Sequence, residues 1–135
     1  MWPGTNIADD ECGRLLVIEC VYEGTLIRLI NIYASNIDSE RKIFFKDLKK
    51  WCTDNTIILG DFNVIQTEFD VSENNVFKGD VSRRELNLLL NEMNMCDVWR
   101  TANPKVRTYS RRQLSVIFLP GTRMLDSLII SNNLL

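Results

Sequence analysis

The run "TLIRLINIY", residues 25 to 33, constrains the fold more than any other stretch of this chain. On the two-residue period of a strand, Leu26, Arg28, Ile30 and Ile32 share one face, while Ile27, Leu29, Asn31 and Tyr33 share the other. Both faces are mostly apolar, which predicts a strand inside a sheet that is covered on both sides. The preceding run "GRLLVIECVY" is equally rich in Leu, Ile and Val, and Glu23-Gly24 between them is a turn signal, so the pair predicts a β-hairpin.

The segments that follow fix the class. "SNIDSERKIFFKDLKKWC" predicts a helix capped by Asp38 or Ser39, with Phe44, Leu48 and Trp51 inward and its lysines and arginine outward. "TIILG" predicts a short buried strand, with a polar loop from about Gln66 to Asp80. A second helix opens at "SRRE", where Ser82 and Glu85 have capping-box spacing, and Leu86, Leu89, Leu90 and Met93 form its apolar stripe. After "DVWR" come an Asn-Pro turn at 103 and 104, a strand "VRTYS", an apolar run "LSVIFL", a Pro-Gly turn at 120 and 121, and a last strand "MLDSLIIS". Hairpin, helix, strand, helix and further strands predict a layered α/β domain rather than a bundle or a pure β-sandwich. With 135 residues, 45% of them hydrophobic and 25% charged, and no repeat or linker, one domain is expected.

Composition removes whole classes of chemistry. The chain has no histidine, so no histidine-based triad exists within it. Cys12, Cys20, Cys52 and Cys96 are irregularly spaced with no CxxC pair, which gives neither a zinc site nor a disulfide framework. The longest apolar runs are too short to span a bilayer, and the first dozen residues lack the basic and apolar regions of a signal peptide. The expectation is a soluble intracellular protein, nuclear or cytoplasmic, with no membrane partner. A net charge of −2 does not mark a nucleic-acid binder, yet Val98 to Arg123 holds six basic residues and no acid. Such a run is ordinarily a solvated face; its interleaving with Trp99 and Tyr109 also suits contact with a phosphate backbone.

The candidate chemistry lies in "NTIILGDFNVI", residues 55 to 65, where a strand runs into a glycine and delivers Asp61 and Asn63 two apart. Asp and Asn are also common turn formers, so alone this reads as a strand ending in a polar turn. Hydrolysis of a phosphodiester, however, needs a carboxylate to act on water, a neutral donor for phosphate oxygens and a divalent cation to offset developing charge. Tyr33, at the end of the strand before the first helix, offers a phenol to a phosphate oxygen. Asp126 is a lone carboxylate in an otherwise apolar strand and calls for a partner, whether Arg123, a backbone amide or a catalytic group.

Taken in order, "NIYASN", "ILGDFNV", "DVWR", "RTYS" and "MLDSLIIS" resemble the endonuclease/exonuclease/phosphatase superfamily, most closely the endonuclease domain of non-LTR (LINE-type) retrotransposons. The resemblance runs from about Gly13 to the C-terminus, with residues 1–12 outside it. It implies a DNase I-like four-layer αββα sandwich, Mg²⁺ as cofactor, DNA as substrate and a reverse transcriptase domain downstream in the parent gene. It also implies site roles. Tyr33 would contact the scissile phosphate, Asp61 would act on the attacking water, Asn63 would hold a phosphate oxygen, and Asp126 would orient a catalytic histidine. Ser110 falls where these enzymes have the threonine of a "YT[WF]" motif, and Arg100 and Arg111 join it as candidate DNA contacts.

The chain also departs from the pattern. The family's metal-binding glutamate has no match; Glu11 and Glu19 lie in the wrong context, and the "SDH" motif that supplies the histidine is absent. Arg123 is separated from Asp126 by two residues where the family has one, Arg111 replaces an aromatic residue, and Ser35 replaces a proline, a minor change. The expectation is therefore a truncated central portion that is catalytically inactive alone, binds Mg²⁺ weakly or not at all, and self-associates through exposed edges. The rival expectation is a non-catalytic remnant or nucleic-acid-binding module that keeps the fold.

Overall fold

The chain was analysed as a computed structural model, which describes residues 4–71, 75–107, 111–114, 120–123, 126–131 and 134. Two long strands, β2 (Leu15–Tyr22) and β3 (Thr25–Tyr33), form the expected hairpin. Glu23 and Gly24 both take positive φ, 48° and 79°, the backbone that a two-residue turn between right-twisted strands requires. A strand that the sequence did not announce, β1 (Thr5–Asp9), pairs antiparallel with β2. Helix α1 (Asp38–Leu48) then crosses over to β4 (Thr56–Asp61), which lies parallel to β3. Helix α2 (Val81–Glu92), the short strand β5 (Met95–Asp97) and the single-turn helix α3 (Val98–Ala102) follow. The last strand of the sheet is β8 (Asp126–Ser131), which inserts between β4 and β5 and gives the six-stranded order β1-β2-β3-β4-β8-β5. A separate two-stranded ribbon comprises β6 (Arg111–Leu114) and β7 (Pro120–Arg123).

The register explains why the sheet holds. Val17 faces Ile30, Ile30 faces Ile58, and Ile58 faces Ile129, so four fully buried residues cross four strands in one line. Phe45 and Leu48 of α1 and Leu86 and Leu89 of α2 pack in the same core. Side chains of this kind each contribute about 1.5 to 3 kcal/mol on burial.

Several local expectations change. Phe45 is the fully buried residue of α1, with Phe44 partly buried against the same core, and Arg41 shares the line of Phe45 and Leu48 instead of facing water. Neither Asp38 nor Ser39 caps α1: the cap position is Ile37, whose N–H is satisfied by the Ser35 hydroxyl at 3.1 Å. Ser82 sits inside α2, not at its cap; Asp80 is the cap, accepting from the N–H groups of Ser82 at 2.8 Å and Arg83 at 3.3 Å. The polar loop contains a 3-10 turn, Glu68–Asp70, closed by a reciprocal Thr67–Asp70 capping box. Pro120-Gly121 opens β7 rather than making a turn, which a ribbon of two edge strands tolerates. Of "VRTYS", Val106 and Arg107 lie outside any strand, and 108–110 fall outside the described residues. The two faces of β3 also differ. Ile30 and Ile32 are buried, whereas Asn31 and Tyr33 opposite them are exposed, because α1 and α2 cover only one side of the sheet.

Candidate active site

Period-two alternation continues past the end of β4 and builds the site. Phe62 and Val64 are buried in the helix-side core, 0% and 2% exposed, with the Phe62 ring 6.1 Å from that of Phe45. Asp61 and Asn63, between and beside these anchors, therefore belong to the side of the sheet opposite α1 and α2. Cross-strand register brings further residues to the same end. Tyr33 is the partner of Asp61 across β3–β4, and Asp126 is the partner of Asp61 across β4–β8. Three of the four residues singled out from sequence thus stand in one row over three adjacent strands, and the fourth lies two residues beyond.

Hydrogen bonds lock this row to the loop that follows β3. The Ala34 N–H donates to the Asp61 carbonyl at 2.8 Å, and Asn63 Nδ2 donates to the Ala34 carbonyl at 2.7 Å. The Asn63 N–H donates to Asp61 Oδ1 at 2.8 Å. Asn63 has φ 50°, a left-handed backbone that asparagine adopts more readily than most residues. Gly60 has φ +126°, and a Cβ there would lie 2.1 Å from the Ile32 carbonyl oxygen, so only glycine lets β4 approach β3 closely enough to make the row. Tyr33 is 59% exposed, which leaves its phenol at the surface beside Asp61.

The basic segment is used differently from expectation. Arg100 is turned inward onto Asp70 in an ion pair whose side chains are 12% and 5% exposed, and Nη1 also donates to the carbonyls of Asn103 and Val106. Arg107 donates to the carbonyls of Glu68 and Val71 and lies over the Phe69 ring. Both arginines brace the 67–71 segment, and Arg100 is not held out as a phosphate contact. Ser110 lies outside the described residues, as do the side chains of Arg111 and Asp126, whose backbones are in β6 and β8.

Sequence reasoning missed a buried polar cluster behind the site. Arg41 Nε donates to Ser82 Oγ at 3.0 Å, Nη1 to the Ser35 carbonyl at 3.0 Å and Nη2 to Asp80 Oδ2 at 2.6 Å. Ser35 Oγ donates to Glu40 Oε2 at 2.6 Å and accepts the Ile37 N–H at 3.1 Å, so the serine is more than a minor change: its hydroxyl, which proline lacks, ties the corner to the start of α1. Burial works against the Asp80 carboxylate, but its bonds to Ser82 and the Arg41 charge outweigh this and hold its pKa below 3.8. Of these residues, only the Ser82–Glu85 spacing pointed to a helix start, and it pointed two residues too far along the chain. Elsewhere, burial pushes the Cys52 thiol up to about 11, against the pull of Arg28, which makes it a poor nucleophile.

Among the described residues no three His, Cys, Asp or Glu side chains gather as a metal-holding group. Asp61 offers carboxylate oxygens, the donor type of Mg²⁺, an ion that takes one or two carboxylates and otherwise keeps water or phosphate oxygens.

No family model matches the chain. Solved structures do. The AP endonuclease LMAP from Leishmania major superposes with a TM-score of 0.71 at 18% identity, over 98% of this chain and 54% of its own. The endonuclease domain of TRAS1, a telomere-specific non-LTR retrotransposon, gives 0.63 at 14% identity, over 90% and 52%. This is a DNase I-like fold. D. rerio TDP2, solved with a single-stranded DNA product, overlaps less well, with a TM-score of 0.51 at 15% identity over 94% of this chain and 51% of its own. The present chain thus spans about half the length of the DNase I-like structures that it matches. Among the described residues, no helix is long and apolar enough to cross a membrane.

Proposed function

We propose that this chain carries part of a phosphodiesterase site of the retrotransposon endonuclease type, one that nicks DNA within a complete four-layer αββα sandwich. The observation that carries the reading is the row Tyr33–Asp61–Asp126 with Asn63 beside it, at the strand ends where layered α/β folds bind ligands. In the proposed reaction Asp61 takes a proton from water as its oxygen attacks phosphorus. The bond from phosphorus to the 3′ oxygen breaks and that oxygen takes a proton from solvent, leaving a 3′-hydroxyl and a 5′-phosphate. Asn63 already donates one Nδ2 hydrogen to Ala34, and its second is the one offered to a phosphate oxygen. The Tyr33 phenol donates to the same phosphate. Mg²⁺, which Asp61 would help to hold, supplies Lewis-acid stabilisation of the charge that develops on phosphate. Asp126 orients a histidine in the family pattern, and this chain contains no histidine. We therefore propose that the chain alone nicks DNA several powers of ten more slowly than a complete site.

The test is fluorescence anisotropy with a labelled duplex at low salt, together with supercoiled-plasmid nicking in Mg²⁺. Weak, Mg²⁺-dependent binding that Asp61→Ala abolishes, with little or no nicking, is the expected result; no binding under any condition sinks the reading. Robust nicking lost in Asp61→Ala would instead overturn the expectation of inactivity. A second reading, abasic-site cleavage, is favoured by the larger overlap with the AP endonuclease LMAP. A duplex with one abasic site, compared in the same assay, separates the two.

A further inference from the structure

Arg41 lies on the buried line of α1 with Phe45 and Leu48, where an apolar residue would pack without penalty. Burying a guanidinium costs several kcal/mol before its partners offset it. All three groups that offset it belong to other segments: the Asp80 carboxylate, the Ser82 hydroxyl and the Ser35 carbonyl. The Ser35 carbonyl is one peptide away from Ala34, itself 0% exposed, whose N–H and carbonyl hold Asp61 and Asn63. A continuous path of short bonds thus runs from the cap of α2, through Arg41, to the two residues proposed to act on water and phosphate.

We propose that Arg41 is a positioning residue: through the Ser35 carbonyl it fixes the Tyr33–Ala34–Ser35 corner and so sets Asn63 and Tyr33 relative to Asp61. The inference rests on the proposed phosphodiesterase site and adds to it a residue that touches no substrate. Lysine at position 41 keeps the charge facing Asp80 but has a single nitrogen, which cannot serve three acceptors spread around a planar fork. The Arg41–Ser35 leg is therefore the one that Arg41→Lys gives up or weakens.

The test uses the ¹⁵N-labelled chain and needs no substrate. Amide hydrogen exchange at Ala34 and Asn63, together with the Asn63 Nδ2 chemical shift, reports the corner directly. Arg41→Lys is expected to speed exchange at both amides about tenfold and to move the Nδ2 resonance. Leu89→Ala, a core truncation that removes none of the bonds in the path, is expected to lower the melting temperature at least as much while leaving the Nδ2 shift in place and these amides slow. Unchanged signals in Arg41→Lys, or equal changes in Leu89→Ala, overturn the proposal. Should Arg41→Lys fail to fold, Arg41→Met combined with Asp80→Asn removes both charges together, and the same readings apply. A DNA arm connects the corner to function: in the anisotropy assay, Arg41→Lys with Asn63→Ala should bind no more weakly than Asn63→Ala alone, and additive losses count against the coupling. If the wild-type chain binds no DNA, the function fails while the exchange data still judge the Arg41 path.

Discussion

At the scale of single residues, the site depends on two backbone conformations. Gly60 exists as glycine because a methyl group there would collide with the Ile32 carbonyl at 2.1 Å on a backbone of φ +126°. Gly60→Ala is expected to cost about 3 kcal/mol, read as a fall in the urea midpoint at constant slope. Asn63 combines a left-handed φ of 50° with the bond to Ala34. Alanine there loses the bond and also strains the backbone, by about 1 kcal/mol, whereas glycine loses only the bond. Urea melts should therefore rank Asn63→Ala below Asn63→Gly; the reverse order would mean that the positive φ carries no cost. The sequence made Asp61 and Asn63 visible because a polar pair directly after an apolar strand is a local signal. It could not reveal that the Asn63 amide is shared between the fold and the proposed chemistry, since the partner lies 29 positions away.

At the scale of elements, arginines do much of the joining. Arg83 donates to the Ile65 carbonyl at 2.6 Å, two residues past Asn63, while Arg41, Arg100 and Arg107 tie down the 35 corner and the 67–71 segment. The hairpin, β4 and the stripe of α2 were legible because each is written in consecutive residues. The buried arginines were not, because partners 39 positions away for Arg41 and 30 for Arg100 decide whether a charge faces water or the interior. The Arg41–Asp80 pair also gives α2 a pH signature. A carboxylate with a folded pKa below 3.8 binds fewer protons folded than unfolded. Its contribution is complete above pH 3.8 and is lost as pH falls through the folded value. Asp80→Asn should flatten this part of the acid limb in denaturant melts from pH 5 downward, and an unchanged acid limb would mean that Asp80 does not titrate with folding.

At the scale of the whole molecule, the sheet is two-sided in a way that its central strand did not announce. The face against α1 and α2 carries the buried line of Val17, Ile30, Ile58 and Ile129, while on the other face Leu16 and Leu59 are each 39% exposed. Both faces of β3 read as apolar in sequence, and sequence cannot say what covers the second. Apolar surface of this kind, flanked by the edge strand β1, predicts self-association of the chain. Sedimentation should show oligomers that grow with concentration, and a monodisperse monomer at high concentration would refute this.

The alternation across Ile58, Gly60, Phe62 and Val64 on one side and Leu59, Asp61 and Asn63 on the other has a consequence for how such a chain tolerates change. Anchoring and chemistry are interleaved letter by letter, so drift at one position is constrained for a different reason than drift at the next. A saturation screen that scores cellular abundance and DNA binding separately should give two combs offset by one tooth. Abundance should dip deepest at 58, 60, 62 and 64, binding alone should dip at 61, and 63 should dip in binding with a shallower dip in abundance, because its amide also holds the Ala34 carbonyl.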